Sequence, residues 1–151
     1  MKTIHKFHIQ SIYQMTYDTK IAIVLREDLK DWQKLNVAAF LASSVAIQFP
    51  ETHGRPFINA SGSKYLPFLK NPILIYKAEN GAEIKRAFDR AKERDLCIGI
   101  YTQPLFATKN EEQNLEEIAK CTDEDQDLVG IVIYGENKKV DKAVKDLKYH
   151  L

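Results

Sequence analysis

The sequence predicts an α/β domain: a mixed, mostly parallel sheet of about four strands with helices on both faces, in three α/β/α layers. Two observations lead there. Strand-like apolar runs alternate with stretches of helical periodicity, the order expected of strands joined by crossover helices. The runs themselves, "IAIVL", "ILIY" and "GIVIY", are apolar on both faces, which suits strands covered from both sides. A chain of 151 residues suffices for one such domain with a sizeable core.

Residues 3–17 mix apolar and polar types without a period, so residues 1–19 read as an N-terminal arm preceding a single domain over 20–151. Lys20–Arg26 is the first strand, a β-branched run bounded by charges. Residues 33–48 have helical spacing, with Val37, Leu41 and Val45 on one stripe and Ala38, Ala42 and Phe49 beside it. That helix is apolar nearly all round, which predicts deep burial. Its alanines permit close approach to the sheet. Residues 50–71 are broken by Pro50, Gly54, Pro56, Gly62 and Pro67, a long connection with a short strand at 56–60. Long structured loops of this kind are often functional.

A second strand follows at 72–78, then a helix carrying Ile84, Ala87, Phe88 and Ala91 inward, with Glu79 and Glu83 favouring its start. Residues 96–101 form a third strand, 110–121 an acidic amphipathic helix and 127–135 a fourth strand. A final helix closes the chain, with Val140, Ala143, Val144 and Leu147 inward.

The bulk numbers exclude several classes. Hydrophobic residues make up 44% and charged residues 28%, an ordinary soluble composition. With 22 basic and 21 acidic side chains, the net charge of +1 provides no general drive toward nucleic acid. The N-terminus has no continuous apolar core of a signal peptide, and no segment is long and apolar enough to span a bilayer. Cys97 and Cys121 form no CxxC pair and read as reduced thiols of a cytosolic protein.

No metal or cofactor is expected. His5, His8, His53 and His150 show no metal-ligand spacing and read as solvated side chains. There is no GxGxxG, no Walker-type loop and no GxSxG elbow, and the turn after the first strand lacks glycine. Ser43 and Ser44 fall inside the first helix without a base at a suitable spacing. Asn36 has two readings. It is a cap or first-turn polar residue, or an amide presented at the carboxyl edge of the sheet, where open α/β sheets bind ligands. Thr102, Gln103 and Thr108 leave the third strand at the same expected edge, with Pro104, Leu105 and Phe106 as apolar lining. Together with Lys34 these residues outline a small-ligand pocket that has hydrogen-bonding groups but no evident acid, base or nucleophile. Lys138, Lys142 and Lys145, with Lys139 and Lys148 nearby, read as the solvated face of the last helix. An RNA-backbone contact is the sharper alternative.

The stretch "KIAIVLREDLKDWQKLNVAAFLASSVA" resembles the opening of the archaeal and eukaryotic (second) class of peptidyl-tRNA hydrolases, with Arg26, Asp28, Leu29, Ala38 and Ala39 matching. A closer resemblance, over about residues 20–151, is to the uncharacterised bacterial family called domain-of-unknown-function two thousand. It is carried by Asn36, Ala38, Ala39, Leu41 and Ala42, by Pro72 and Leu74, and by Gly130, Tyr134, Gly135, Lys138, Val140, Asp141 and Lys142.

The resemblance implies a peptidyl-tRNA hydrolase II-like fold and a homodimer. It also exposes departures. Where the hydrolases place Lys, Gln and His on the buried helix, this chain has Asn36, Phe40 and Ser43, with Lys34 the nearby basic residue. Their Asp-x-Gly-x-Thr loop corresponds to "TQPLFAT", with Thr108 at the threonine position. Ester hydrolysis needs a group that orients water or stabilises an oxyanion. The expectation is therefore a cytoplasmic protein that binds a small ligand or partner through Lys34, Asn36, Thr102, Gln103 and Thr108. The alternatives are a divergent hydrolase of peptidyl-tRNA or a related ester, and an RNA-binding adaptor.

Overall fold

The computed structural model describes residues 17–151. Most of the expected arm, with His5 and His8, lies outside the described residues. The strands are β1 (Thr19–Arg26), β2 (Phe57–Ile58), β3 (Lys64–Tyr65), β4 (Ile73–Ala78), β5 (Cys97–Thr102), β6 (Leu128–Glu136) and β7 (Lys148–Tyr149). The helices are α1 (Asp31–Gln48), α2 (Gly81–Glu93), α3 (Glu111–Ala119) and α4 (Asn137–Ala143).

Five strands form one mixed sheet in the order β5-β6-β1-β4-β7, while β2 and β3 pair as a separate hairpin. The sheet is less parallel than the alternation of strands and helices predicts. Only β1 and β4 pair in parallel, with Ile21 opposite Ile73 and Arg26 opposite Ala78. β6 enters between β5 and β1, antiparallel to both. The reason lies in α3, which has no fully buried residue. It does not cross a sheet face, so the chain after β5 folds back beside its own strand.

β1, β4 and β5 therefore run in one direction, and Arg26, Ala78 and Thr102 end at one edge of the sheet. Helices cover both faces. On one, Ala22, Val24, Leu74, Tyr76, Ile131 and Ile133 pack with Ile84 and Phe88 of α2 and Val140 of α4. On the other, Ile21, Ile23, Leu25, Val129 and Val132 pack with Val37, Leu41 and Val45 of α1. Alternate residues of β1 thus serve opposite cores, which explains why its run carries no polar position. Lys20, expected as a charged boundary, is wholly buried, with Nζ 2.5 Å from Asp141 Oδ1 of α4.

α1 approaches the sheet closely because β5 and β6 present glycine beneath it. A Cβ on Gly130 would lie 2.5 Å from Val37 Cγ1, and one on Gly99 would lie 2.8 Å from Ser44 Oγ. The predicted deep burial of this helix holds for one stripe alone: Val37, Leu41 and Val45 are buried, whereas Trp32, Leu35, Phe40 and Ile47 are exposed. Among the described residues, Phe106 and Tyr101 touch Trp32 and Phe40, while Leu35 and Ile47 stand largely in solvent.

Two further expectations change. The strand expected at 56–60 is half of the β2–β3 hairpin, whose turn is held by Asn59 Oδ1 accepting from the amides of Ser61 and Ser63. The last helix stops at Ala143 instead of running to the end. Asp146 adopts a positive φ of 76°, which ends helical continuation, and the chain turns into β7 on the edge of β4. There Tyr149 stacks on Tyr76, with ring centroids 4.8 Å apart. The lysines from 138 to 148 consequently do not share one helical stripe.

Candidate functional site

α1 begins at Asp31, so Asn36 lies in its second turn and Lys30 occupies the cap. A lysine side chain has no acceptor for the first amides. Instead Gln33 Oε1 accepts from the Lys30 amide at 3.0 Å. Asn36 is therefore not a cap. It is exposed, one turn from both Trp32 and Phe40, the i, i+4, i+8 arrangement that puts three side chains on one face.

The loop after β5 rises beside that face. The Trp32 ring meets Phe106 edge-on, with centroids 5.8 Å apart at 72°. Phe106 meets Tyr101 at 5.0 Å, and Tyr101 meets Phe40 at 6.2 Å. The four rings form a continuous shelf with Asn36 beside it. Partial burial raises the Tyr101 phenol above its ordinary pKa, so it stays neutral and able to donate near pH 7.

The loop is held by its own hydrogen bonds. Gln103 N–H donates to Asp127 O at 2.9 Å. Thr108 Oγ1 donates to Leu105 O at 2.8 Å and also contacts Asn114 Oδ1. Thr108 thus fixes the short 3-10 turn Gln103–Ala107 that carries Phe106. Thr102 is buried at the end of β5, where a bulge shifts its pairing to Leu128, and Gln103 is exposed.

Arg26 ties the same edge together. Its Nε and Nη2 donate to both oxygens of Asp28 at 3.1 and 2.7 Å, and its Nη1 donates to Asp127 at 3.0 Å. The paired hydrogen bonds from Arg26 hold the Asp28 carboxyl below its usual pKa, and Lys34 adds a smaller pull the same way. Asp28 is therefore a structural anion near neutrality, not a proton donor.

The Lys34 charge reaches both Asp28 and His150. His150 is half-buried, not solvated as the sequence suggests. Its amide donates to Ile75 O at 2.9 Å, and its Nε2 is buried with no hydrogen-bond partner among the described residues. Burial lowers its pKa, as do the charges of Lys34 and Lys77, while Glu27 and Asp31 oppose them.

The five residues singled out from the sequence therefore occupy four settings. Asn36 stands beside the shelf, Thr108 and Gln103 belong to the loop behind it, Thr102 is buried, and Lys34 is a half-buried cation whose charge reaches Asp28 and His150. Sequence reasoning named Phe106 as lining but missed Trp32, Phe40 and Tyr101. The four-residue spacing of Trp32, Asn36 and Phe40 was the available signal. Cys97 and Cys121 are free thiols, and no group of three or more His, Cys, Asp or Glu is placed to hold a metal ion among the described residues. No helix among them is long and apolar enough to cross a membrane.

The family described as "Protein of unknown function (DUF2000)" matches residues 19–150, and the chain belongs to it. A solved structure of the protein of unknown function Atu0240 from Agrobacterium tumefaciens strain C58 is 34% identical, with a TM-score of 0.87. The alignment covers 90% of this chain and all of that one. No curated protein matches the chain.

Proposed function

We propose that the chain is a binding protein for a flat, largely apolar small molecule, not a peptidyl-tRNA hydrolase. The observation that carries this is the run of rings Trp32–Phe106–Tyr101–Phe40 beside an uncommitted amide, Asn36. Aromatic faces offer large apolar area with preferred stacking geometry, and an amide can both donate and accept to orient a polar edge of the ligand. Ligand sites commonly combine such lining with a few polar groups. The helices on both sheet faces support the likeness to the second-class peptidyl-tRNA hydrolase fold. The residues at the hydrolases' Lys, Gln and His positions, Asn36, Phe40 and Ser43, support a change of chemistry. The free thiols and balanced charge support a cytosolic setting.

Trp32 is the one tryptophan of the chain, so its emission reports on the shelf directly. A small-molecule screen by thermal shift, followed by Trp32 titration of the hits, should yield saturable changes that weaken at least tenfold in Phe106→Ala and Asn36→Ala. Peptidyl-tRNA incubated with the protein should stay intact; turnover abolished by Asn36→Ala would overturn the reading. Binding of tRNA that weakens steeply with salt would favour the RNA-binding alternative instead.

A further inference from the structure

We propose that the β2–β3 hairpin anchors the protein on an anionic bilayer surface, its apolar side chains among the headgroups and Arg55, Lys64 and Lys70 at the phosphates. This is contact with a surface, not a span. The hairpin is built before any partner arrives. Asn59 Oδ1 holds its turn, and Gly54 N–H donates to Phe68 O at 2.9 Å. At the root, Lys70 N–H donates to Thr52 O at 2.8 Å, and the Tyr17 hydroxyl donates to Lys70 O at 2.8 Å. The Phe57 and Phe68 ring centroids are 4.6 Å apart. Yet every residue from Arg55 through Phe68 is exposed. Leu66, Phe68 and Ile58 leave 87%, 72% and 69% of their surface in solvent, with Tyr65 and Phe57 exposed beside them. At about 150–250 Å² per large side chain, the five present roughly 600 Å² of apolar area. That is the top of the range for the largest patch on a monomer, and such patches mark contact sites.

The charge pattern identifies the occupant. From Thr52 through Tyr76 the chain carries Arg55, Lys64 and Lys70 and no Asp or Glu. Among the described residues, none of these three cations has an ion-pair partner. Apolar side chains set among unpaired cations match the anionic interface of a bilayer. There the apolar groups leave water, while Lys and Arg keep their charged ends at the phosphates. Other occupants fit less well. A second copy meeting this hairpin with its own would set cation against cation, with no acid in the segment to pair them. The chain before Tyr17 contains Lys2 and Lys6 and no acid, so it offers no countercharge either. A nucleic-acid strand would stack its bases on rings, but Leu66 and Ile58 present no ring. Three cations are also few for a track of phosphates.

The hairpin follows the C-terminal end of α1, whereas the aromatic shelf stands at its first turns. Substitutions in the hairpin therefore spare the shelf, and the test needs no small ligand. Co-sedimentation of the full chain with large unilamellar vesicles measures the contact. Vesicles of phosphatidylcholine with about 30% phosphatidylserine should bind at least tenfold more tightly than phosphatidylcholine alone, and added salt should shrink the difference. Leu66→Ser with Phe68→Ser should weaken binding at least tenfold. Arg55→Glu with Lys64→Glu should do the same, since each basic side chain near the surface is worth roughly fivefold. All four positions are exposed, so the far-ultraviolet circular dichroism should not change. In a Cys97→Ser, Cys121→Ser background, an environment-sensitive dye on Leu66→Cys should shift to the blue on anionic vesicles, and the same dye on Glu112→Cys should not. Absence of binding to anionic vesicles would overturn the proposal. So would binding that survives Leu66→Ser with Phe68→Ser, or a Leu66→Cys dye that reports no change in the bound protein. A two-chain mass or an oligonucleotide complex that those two substitutions abolish would give the hairpin another occupant and overturn it equally.

Discussion

The seat of α1 on the sheet can be tested by giving Gly130 a side chain. A methyl there would lie 2.5 Å from Val37 Cγ1, 3.1 Å from Leu41 Cδ1 and 3.3 Å from Leu25 Cδ2. Apolar carbons pack best at about 3.5–4.0 Å, so Val37 must give by roughly 1 Å. It cannot do so by rotation, because valine in a helix has one strongly favoured rotamer. Gly130→Ala should therefore shift α1 or strain it, at the cost of about 1–3 kcal/mol typical of overpacking. For a chain of this size that lowers Tm by roughly 3–10 °C. Val37→Ala removes two buried methyl groups and should cost about 1–3 kcal/mol through the cavity it leaves. The double variant decides the matter. The alanine at 130 would enter the space vacated by Val37, so the two losses should fall short of their sum by about 1–2 kcal/mol. Rescue is partial because Leu41 and Leu25 stay close. Urea unfolding followed by circular dichroism, at one protein concentration throughout, measures all four corners of the cycle. Additivity within about 0.5 kcal/mol would refute the claim that a glycine on β6 sets how closely the helix approaches.

Two other outcomes follow from single residues. Burial and the charges of Lys34 and Lys77 hold the His150 pKa below its ordinary value, so below about pH 6.5 the unfolded chain binds a proton that the folded chain resists. His150 therefore contributes stability that is present above that pH and lost as pH falls through its folded pKa. The melting temperature of His150→Gln should fall less than wild type between pH 7 and pH 5, and identical slopes would remove His150 from the account. Asn80 Oδ1 accepts from the Glu83 amide at 3.0 Å at the start of α2, so Asn80→Ala should cost about 1 kcal/mol in chemical denaturation, and Asn80→Ser much less.

The elements were legible where the local signal and the tertiary outcome agree. The 3.6-residue period of Ile84, Ala87, Phe88 and Ala91 produced α2, and the β-branched runs produced β1, β4 and β6. Strand neighbours were not legible, because an intervening helix announces a crossover only if it packs on the sheet. α3 has helical spacing but no buried face, and nothing local to it marks the return of β6 between β5 and β1. The end of α4 was hidden in the same way. Leu147 continues the inward period of Val140 and Val144, while the left-handed Asp146 that breaks the helix is a backbone choice at a residue with no glycine-like signature. At the site, Asn36 was found from its place in the chain, but its true neighbours come from β5 and the turn after it. Trp32 and Phe40 are ordinary apolar helix residues until Tyr101 and Phe106 are set beside them.

The deepest disagreement between sequence and structure is also the most informative. A helix apolar nearly all round belongs in an interior, and this one has a single buried stripe. Asn36, Phe40 and Ser43 all lie on its exposed half. Nothing in the fold requires that surface to stay free of charge from Leu35 through Gln48, since solvent accepts Lys or Glu there at little cost in stability. A surface that must repeatedly meet an apolar partner or ligand excludes charge, because each charge stripped of water without a counterion is costly. The neutral run is therefore best explained by what the outer face contacts.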